Sequence, residues 1–171
     1  MKPGPTGIGV DFILPSSSHN TFSSMVDPLS VSSLAITIVA ICGTVGNYIN
    51  TVQTTDAFLD TLGIEVSQLS TVLYSISAQF KNLAERRRVL STDAVNTEPY
   101  WVLVKQSLQG CELSLKRLRG LLQNLNRSHG FINGALVRLR LGQRAPEIDM
   151  YKQQIVSYRE ALKLALHLIS V

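Results

Sequence analysis

The sequence predicts an all-α protein, a four-helix-bundle-like domain of long amphipathic helices behind a disordered N-terminal leader. Three observations predict it: apolar residues alternate at spacings of three and four in three separate stretches, a fourth stretch is apolar nearly all round, and acid-proline pairs mark two helix starts. At 171 residues the chain fits one domain, residues 27 to 171, with residues 1 to 26 as leader. An apolar share of 45% against 16% charged is enough to build one core.

The leader, Met1 to Val26, holds Pro3, Pro5 and Pro15, three glycines and the run Ser16-Ser17-Ser18, with no sustained period. It lacks the continuous apolar core of a secretory signal. Met25 is a second candidate start.

Asp27-Pro28-Leu29-Ser30 then opens a helix. Aspartate caps a free backbone N–H and favours the positive helix end, and proline presets φ at the first helical position. From Pro28 to Thr55 no residue is charged, and Val31, Leu34, Ile38, Ile41, Val45, Ile49 and Val52 recur at helical spacing, with Ile36 and Val39 adding apolar surface elsewhere. Such a helix belongs at a bundle centre or in a membrane. The dense apolar run, Leu34 to Cys42, is shorter than the roughly 20 residues a span needs, which favours the central core.

The second helix is read from Leu59, Leu62, Val66, Leu69, Leu73, Ile76, Phe80 and Leu83, a seam of the coiled-coil kind. Asp56 and Asp60 suit its start, and Lys81 with Arg86, Arg87 and Arg88 suits its end. A linker, Ser91 to Thr97, precedes Glu98-Pro99. The third helix repeats the alternation through Trp101, Val104, Leu108, Cys111, Leu115, Leu118, Leu122 and Leu125. Residues 127 to 146 contain Gly130, Gly134 and Gly142 and alternate Leu136, Val137, Leu139 and Leu141 with Arg138 and Arg140; they read as a loop with a short helical turn. The last helix is predicted to open at Pro146 and to run through Ile148, Tyr151, Ile155, Tyr158, Leu162, Ala165 and Ile169. Its end at Val171 without a cap suggests a domain that continues beyond it.

Chemistry is sparsely represented. His19, His129 and His167 show no paired metal-ligand spacing, and no phosphate loop, dinucleotide fingerprint or nucleophile elbow occurs, so no catalytic, cofactor or metal residue is nominated. Cys42 and Cys111 form no cluster, which points to a reducing, cytoplasmic setting, and Cys111 on the seam reads as a small buried hydrophobe. Glu147 and Asp149 suit a helix first turn.

The charge is uneven. Residues 1 to 80 carry Lys2 against five acids, and residues 81 to 171 carry fifteen Lys and Arg against seven acids. Most aromatics fall on apolar seams, so nucleic acid is not an expected partner, nor is a small-molecule substrate.

Met25-Val26-Asp27-Pro28-Leu29-Ser30-Val31 followed by an uncharged apolar helix resembles the opening of fungal N-terminal domains found on NLR-like (STAND) proteins, including the azaphilone pigment cluster protein L type and HeLo-like domains. Leu139-Arg140-Leu141, Pro146-Glu147-Ile148 and Tyr158 to Leu166 look like that family's closing helix. The resemblance covers roughly residues 25 to 171 and implies a fungal signalling or cell-death module, some relatives of which permeabilise membranes after oligomerising. The chain departs from the pattern in its leader, in lacking the aromatics often seen around Arg138 to Arg144, and in having no sensor or nucleotide-binding domain after it.

The expected function is a non-enzymatic helical interaction module that self-associates or binds a protein partner, cytoplasmic and membrane-associated on activation. The alternatives are a membrane-inserting effector and an inactive structural fragment. The residues expected to meet a membrane or partner helix are Leu29, Leu34, Ile38, Ile41, Val45 and Ile49. The expected core seam contains Leu69, Leu73, Phe80, Trp101, Leu108, Leu115, Leu122, Tyr158 and Leu162.

Overall fold

A computed structural model describes residues 27–51, 57–90, 98–127 and 134–170, with side chains for 27–51, 57–86, 101–125 and 139–168. These residues form four helices: α1 (Pro28–Thr51), α2 (Ala57–Leu90), α3 (Glu98–Arg127) and α4 (Gly134–Ser170). The protein is an all-α helical bundle. The leader, the Ser91 to Thr97 linker, His19, His129, Val52 and Asp56 lie outside the described residues, as do the side chains of Arg87, Arg88, Arg138 and Ile169.

The start of α1 follows from its cap. Asp27 Oδ1 accepts from Leu29 N at 3.3 Å, and the Asp27 carbonyl accepts from Ser30 N at 3.0 Å and Ser30 Oγ at 2.7 Å. Pro28 takes the first helical position, where a missing N–H costs nothing.

The helices form a ring in which α1 touches α2 and α3, and α4 touches α3 and α2. Among the described residues the backbones of the diagonal pairs, α1 with α4 and α2 with α3, do not approach closely. Cross-helix bonds fix the directions. Ser32 Oγ and Ser77 Oγ, 2.9 Å apart, set α1 antiparallel to α2, because the start of one meets the second half of the other. Gln123 Nε2 donates to Tyr48 Oη at 2.7 Å, so the ends of α1 and α3 coincide and these helices run parallel. Ser114 Oγ donates to Gln154 Oε1 at 2.8 Å between antiparallel α3 and α4.

The seams meet inside this ring. Leu59, Leu62, Leu69, Leu73, Ile76 and Phe80 of α2 are all within 1% of full burial, as are Leu108, Cys111, Leu115, Leu118 and Leu122 of α3 and Ile148, Ile155 and Leu162 of α4. The Phe80 and Trp101 rings meet edge to face across the diagonal, with centroids 5.7 Å apart. Tyr158, Leu83, Leu34 and Ala165 are partly buried and pack on the outside of the core.

Two expectations are corrected. The last helix opens at Gly134, and Pro146 lies inside it. Pro146 and Gly142, the residue four before it, are both exposed, so water can solvate the Gly142 carbonyl that proline leaves without a donor. Leu141 and Ile148 are both buried and seven residues apart, so one apolar stripe continues through the proline. The apolar first helix is also not central: α1 is one corner of the ring, with Leu29, Ser33, Ile36, Thr37, Ala40 and Asn47 exposed on its outer side.

Candidate interaction surface

The six α1 residues expected to meet a membrane or partner divide by helical phase. Ile38, Ile41, Val45 and Ile49 are buried in the core, Leu34 is partly buried, and Leu29 alone among them is exposed, at 37%. In the closed bundle the first four hold α1 in place and are not offered outward.

The outward surface has a different chemistry. No residue of α1 carries a charge, and between Asp60 and Lys81 the one charged residue of α2, Glu65, turns toward α4. Arg159 of α4 is buried and donates to Glu65 Oε2 and Gln68 Oε1 across the α2/α4 contact, while its Nε donates to Glu160 Oε1 at 2.9 Å. Pairing with Arg159 keeps Glu65 away from the outer face. Near the start of α2, Lys152 Nζ stands 4.9 Å over the Phe58 ring.

Between α1 and α2 the outer face sinks into an open groove of about 720 Å³, lined among others by Gly43, Gly46, Gly63, Ile64, Ser67 and Tyr74. The groove exists because three of these positions lack side chains. Ile64 and Tyr74 stand 56% and 57% exposed along it, and Ile36 is 45% exposed on α1. Of the remaining exposed residues here, Asp60 at one end is charged, and Ser67, Thr71 and Asn50 are uncharged hydrogen-bonding groups. The surface is thus neither a charged, solvated face nor a greasy patch.

Most of the cations belong to α3 and α4. Arg140 and Arg144 line a smaller cleft between α3 and α4, and Arg144 Nη1 pairs with Glu147 Oε2 at 3.0 Å. Lys116 pairs with Glu112, and Lys163 with Glu160, as exposed pairs within single helices worth a few tenths of a kcal/mol.

The two thiols behave as core groups. Cys42 and Cys111 are free and buried, and burial pushes each up to about 12. Each is protonated at neutral pH. Among the described residues no group of three or more His, Cys, Asp or Glu side chains is placed to hold a metal ion.

Sequence reasoning missed this outer face because it mixes small and polar residues with a few isolated large ones and none belongs to a known motif. A signal was present: Asp60, Ile64, Ser67, Thr71, Tyr74, Ala78 and Lys81 alternate at four and three, half a turn away from the core seam. No protein-family model, curated protein or solved structure matches the chain.

Proposed function

We propose that this chain is a non-enzymatic helical interaction module, of the signalling type implied by its resemblance to the N-terminal domains of fungal NLR-like proteins. The observation that carries the reading is the grooved face of α1 and α2, which presents no charge outward between Asp60 and Lys81, on a protein whose other helices are well charged. A surface that must only stay dissolved gains from charge, whereas one that docks another helix avoids desolvating it. Small residues also let a partner backbone approach closely. The module acts in the cytoplasm on a protein partner or a second copy of itself, without cofactor or small-molecule substrate.

Proximity labelling from the full chain in filamentous fungal cells tests this reading. Thr37→Arg places a long cation at the exposed centre of α1 without touching the core. The variant should fold as wild type and lose most labelled neighbours. An unchanged set of neighbours would contradict the reading.

A second reading is favoured by one observation. At 24 residues, α1 is long and apolar enough to cross a membrane by length and composition, although buried core helices pass the same test. On this reading α1 leaves the bundle and inserts, and membrane association follows activation. Asn47→Asp, at an exposed position, would leave the bundle intact but oppose insertion by up to about 3 kcal/mol. Wild-type protein that neither binds nor empties anionic vesicles at low salt ends this reading.

A further inference from the structure

The exposed seam of α2 has an internal symmetry. Its members are Asp60, Ile64, Ser67, Thr71, Tyr74, Ala78 and Lys81, all exposed and spaced four, three, four, three, four and three. Read from either end, the series pairs opposites: an acid with a base, Asp60 with Lys81; a large with a small apolar residue, Ile64 with Ala78; and a large with a small hydroxyl, Tyr74 with Ser67. Thr71 is left at the middle. A second α2 laid antiparallel over the first, with the two-fold axis at Thr71, would bring each residue to its complement.

We propose that this outer seam of α2 is a two-fold interface with a second copy of the chain. The proposal rests on the interaction-module reading and names its partner. In an isologous contact each residue pair occurs twice, so the symmetry of the series is what such a contact requires. Charge complementarity selects the occupant. Among the described residues neither Asp60 nor Lys81 takes part in an ion pair, and the stretch between them, about 32 Å at 1.5 Å per residue, presents no other charge outward.

The groove beside the seam supplies room. Gly63, Gly43 and Gly46 lower the surface on the α1 side of the seam, and beyond the neighbouring backbone of α1 itself nothing lies within 4 Å of where a Cβ at Gly43 or Gly46 would stand. With the axis at Thr71, Tyr74 of each copy passes over Ser67 of the other, toward that lowered surface. The serine, threonine and tyrosine hydroxyls find hydrogen-bond partners in another protein helix, which hydrocarbon tails cannot provide.

Sedimentation velocity on the full-length chain tests the proposal through charge exchange. Wild type should shift with concentration from 18.8 kDa toward twice that mass, with a dissociation constant on the order of micromolar for an interface of this small size. Asp60→Lys alone sets like charges together at both ends of the contact, and so does Lys81→Asp alone. Each should weaken association about tenfold or more. Mixing the two variants should restore it, because every introduced charge then faces its opposite. That rescue also shows that neither variant is misfolded.

Thr71→Cys provides a second, covalent readout. It should give a disulfide-linked dimer on a non-reducing gel, since the two copies of position 71 meet on the axis and Cys42 and Cys111 are buried. A wild type that stays monomeric to about 100 μM, single variants that associate as wild type does, or mixtures that show no rescue would each overturn the proposal. So would a monomer that floats instead with uncharged phosphatidylcholine vesicles. Loss of the dimer would leave the proximity-labelling result for Thr37→Arg standing, so the two readings fail separately.

Discussion

At the scale of single residues, Gly110 shows how tightly the seams close. A Cβ there would lie 2.5 Å from Tyr158 Oη and 2.9 Å from Tyr158 Cζ, so the tyrosine ring of α4 occupies the space a side chain on α3 would need. Alanine should gain about 1 kcal/mol in helix propensity but cost about 1 to 3 kcal/mol in overpacking. Gly110→Ala should therefore lower the urea midpoint. In a Tyr158→Leu background, where the intruding atoms are gone, the same change should raise it. A Gly110→Ala effect of equal sign in both backgrounds would show that Tyr158 does not fill this site. Cys42 and Cys111 provide a second check at this scale. Protonated and buried, both should resist iodoacetamide at pH 8 in the native state and react together when the chain unfolds in guanidinium. Rapid native labelling of either one would mean that α1 and α3 separate readily.

At the scale of elements, the sequence was most legible where one physical rule acted alone. Asp27-Pro28 marks the start of α1 because cap, dipole and fixed φ agree there, and the α2 and α3 seams are legible because no residue interrupts their alternation. The beginning of α4 was not legible. Pro146, Gly142 and the alternation of leucine with arginine all argue locally for a break, and Leu141 is tied to Ile148 only by burial against other helices. The proline should still cost stability, since it removes one backbone bond and crowds the preceding turn. Pro146→Ala should stabilise the protein by up to about 3 kcal/mol, measured by urea unfolding. A neutral or destabilising result would mean that the helix uses a bend at this point. The phase of α1 was half legible: spacing separated its two sides, but an almost uniformly uncharged helix does not reveal how many neighbours cover it. Its corner position follows from the ring order, to which residues distant in sequence contribute.

At the scale of the whole molecule, the distribution of charge is the feature that most constrains function. Most of the basic residues counted from 81 to 171 lie on α3 and α4, while α1 is uncharged and the outer side of α2 presents no charge between Asp60 and Lys81. That face exists only while the bundle is closed, with Ile38, Ile41, Val45 and Ile49 turned inward. If the protein works through this face, closure is its active state; if it works by inserting α1, closure is its resting state. The structure offers a direct way to separate these. Ser32 Oγ and Ser77 Oγ, buried and 2.9 Å apart, join α1 to α2, so Ser32→Cys with Ser77→Cys should fasten the two helices by a disulfide once oxidised. The most direct measurement compares this variant, oxidised and reduced, for self-association and for cellular neighbours by proximity labelling. A face that acts in the closed bundle predicts equal association and equal labelling in both redox states. Association or labelling that vanishes on oxidation and returns on reduction would contradict it, because it would mean that α1 must leave the bundle for the protein to act.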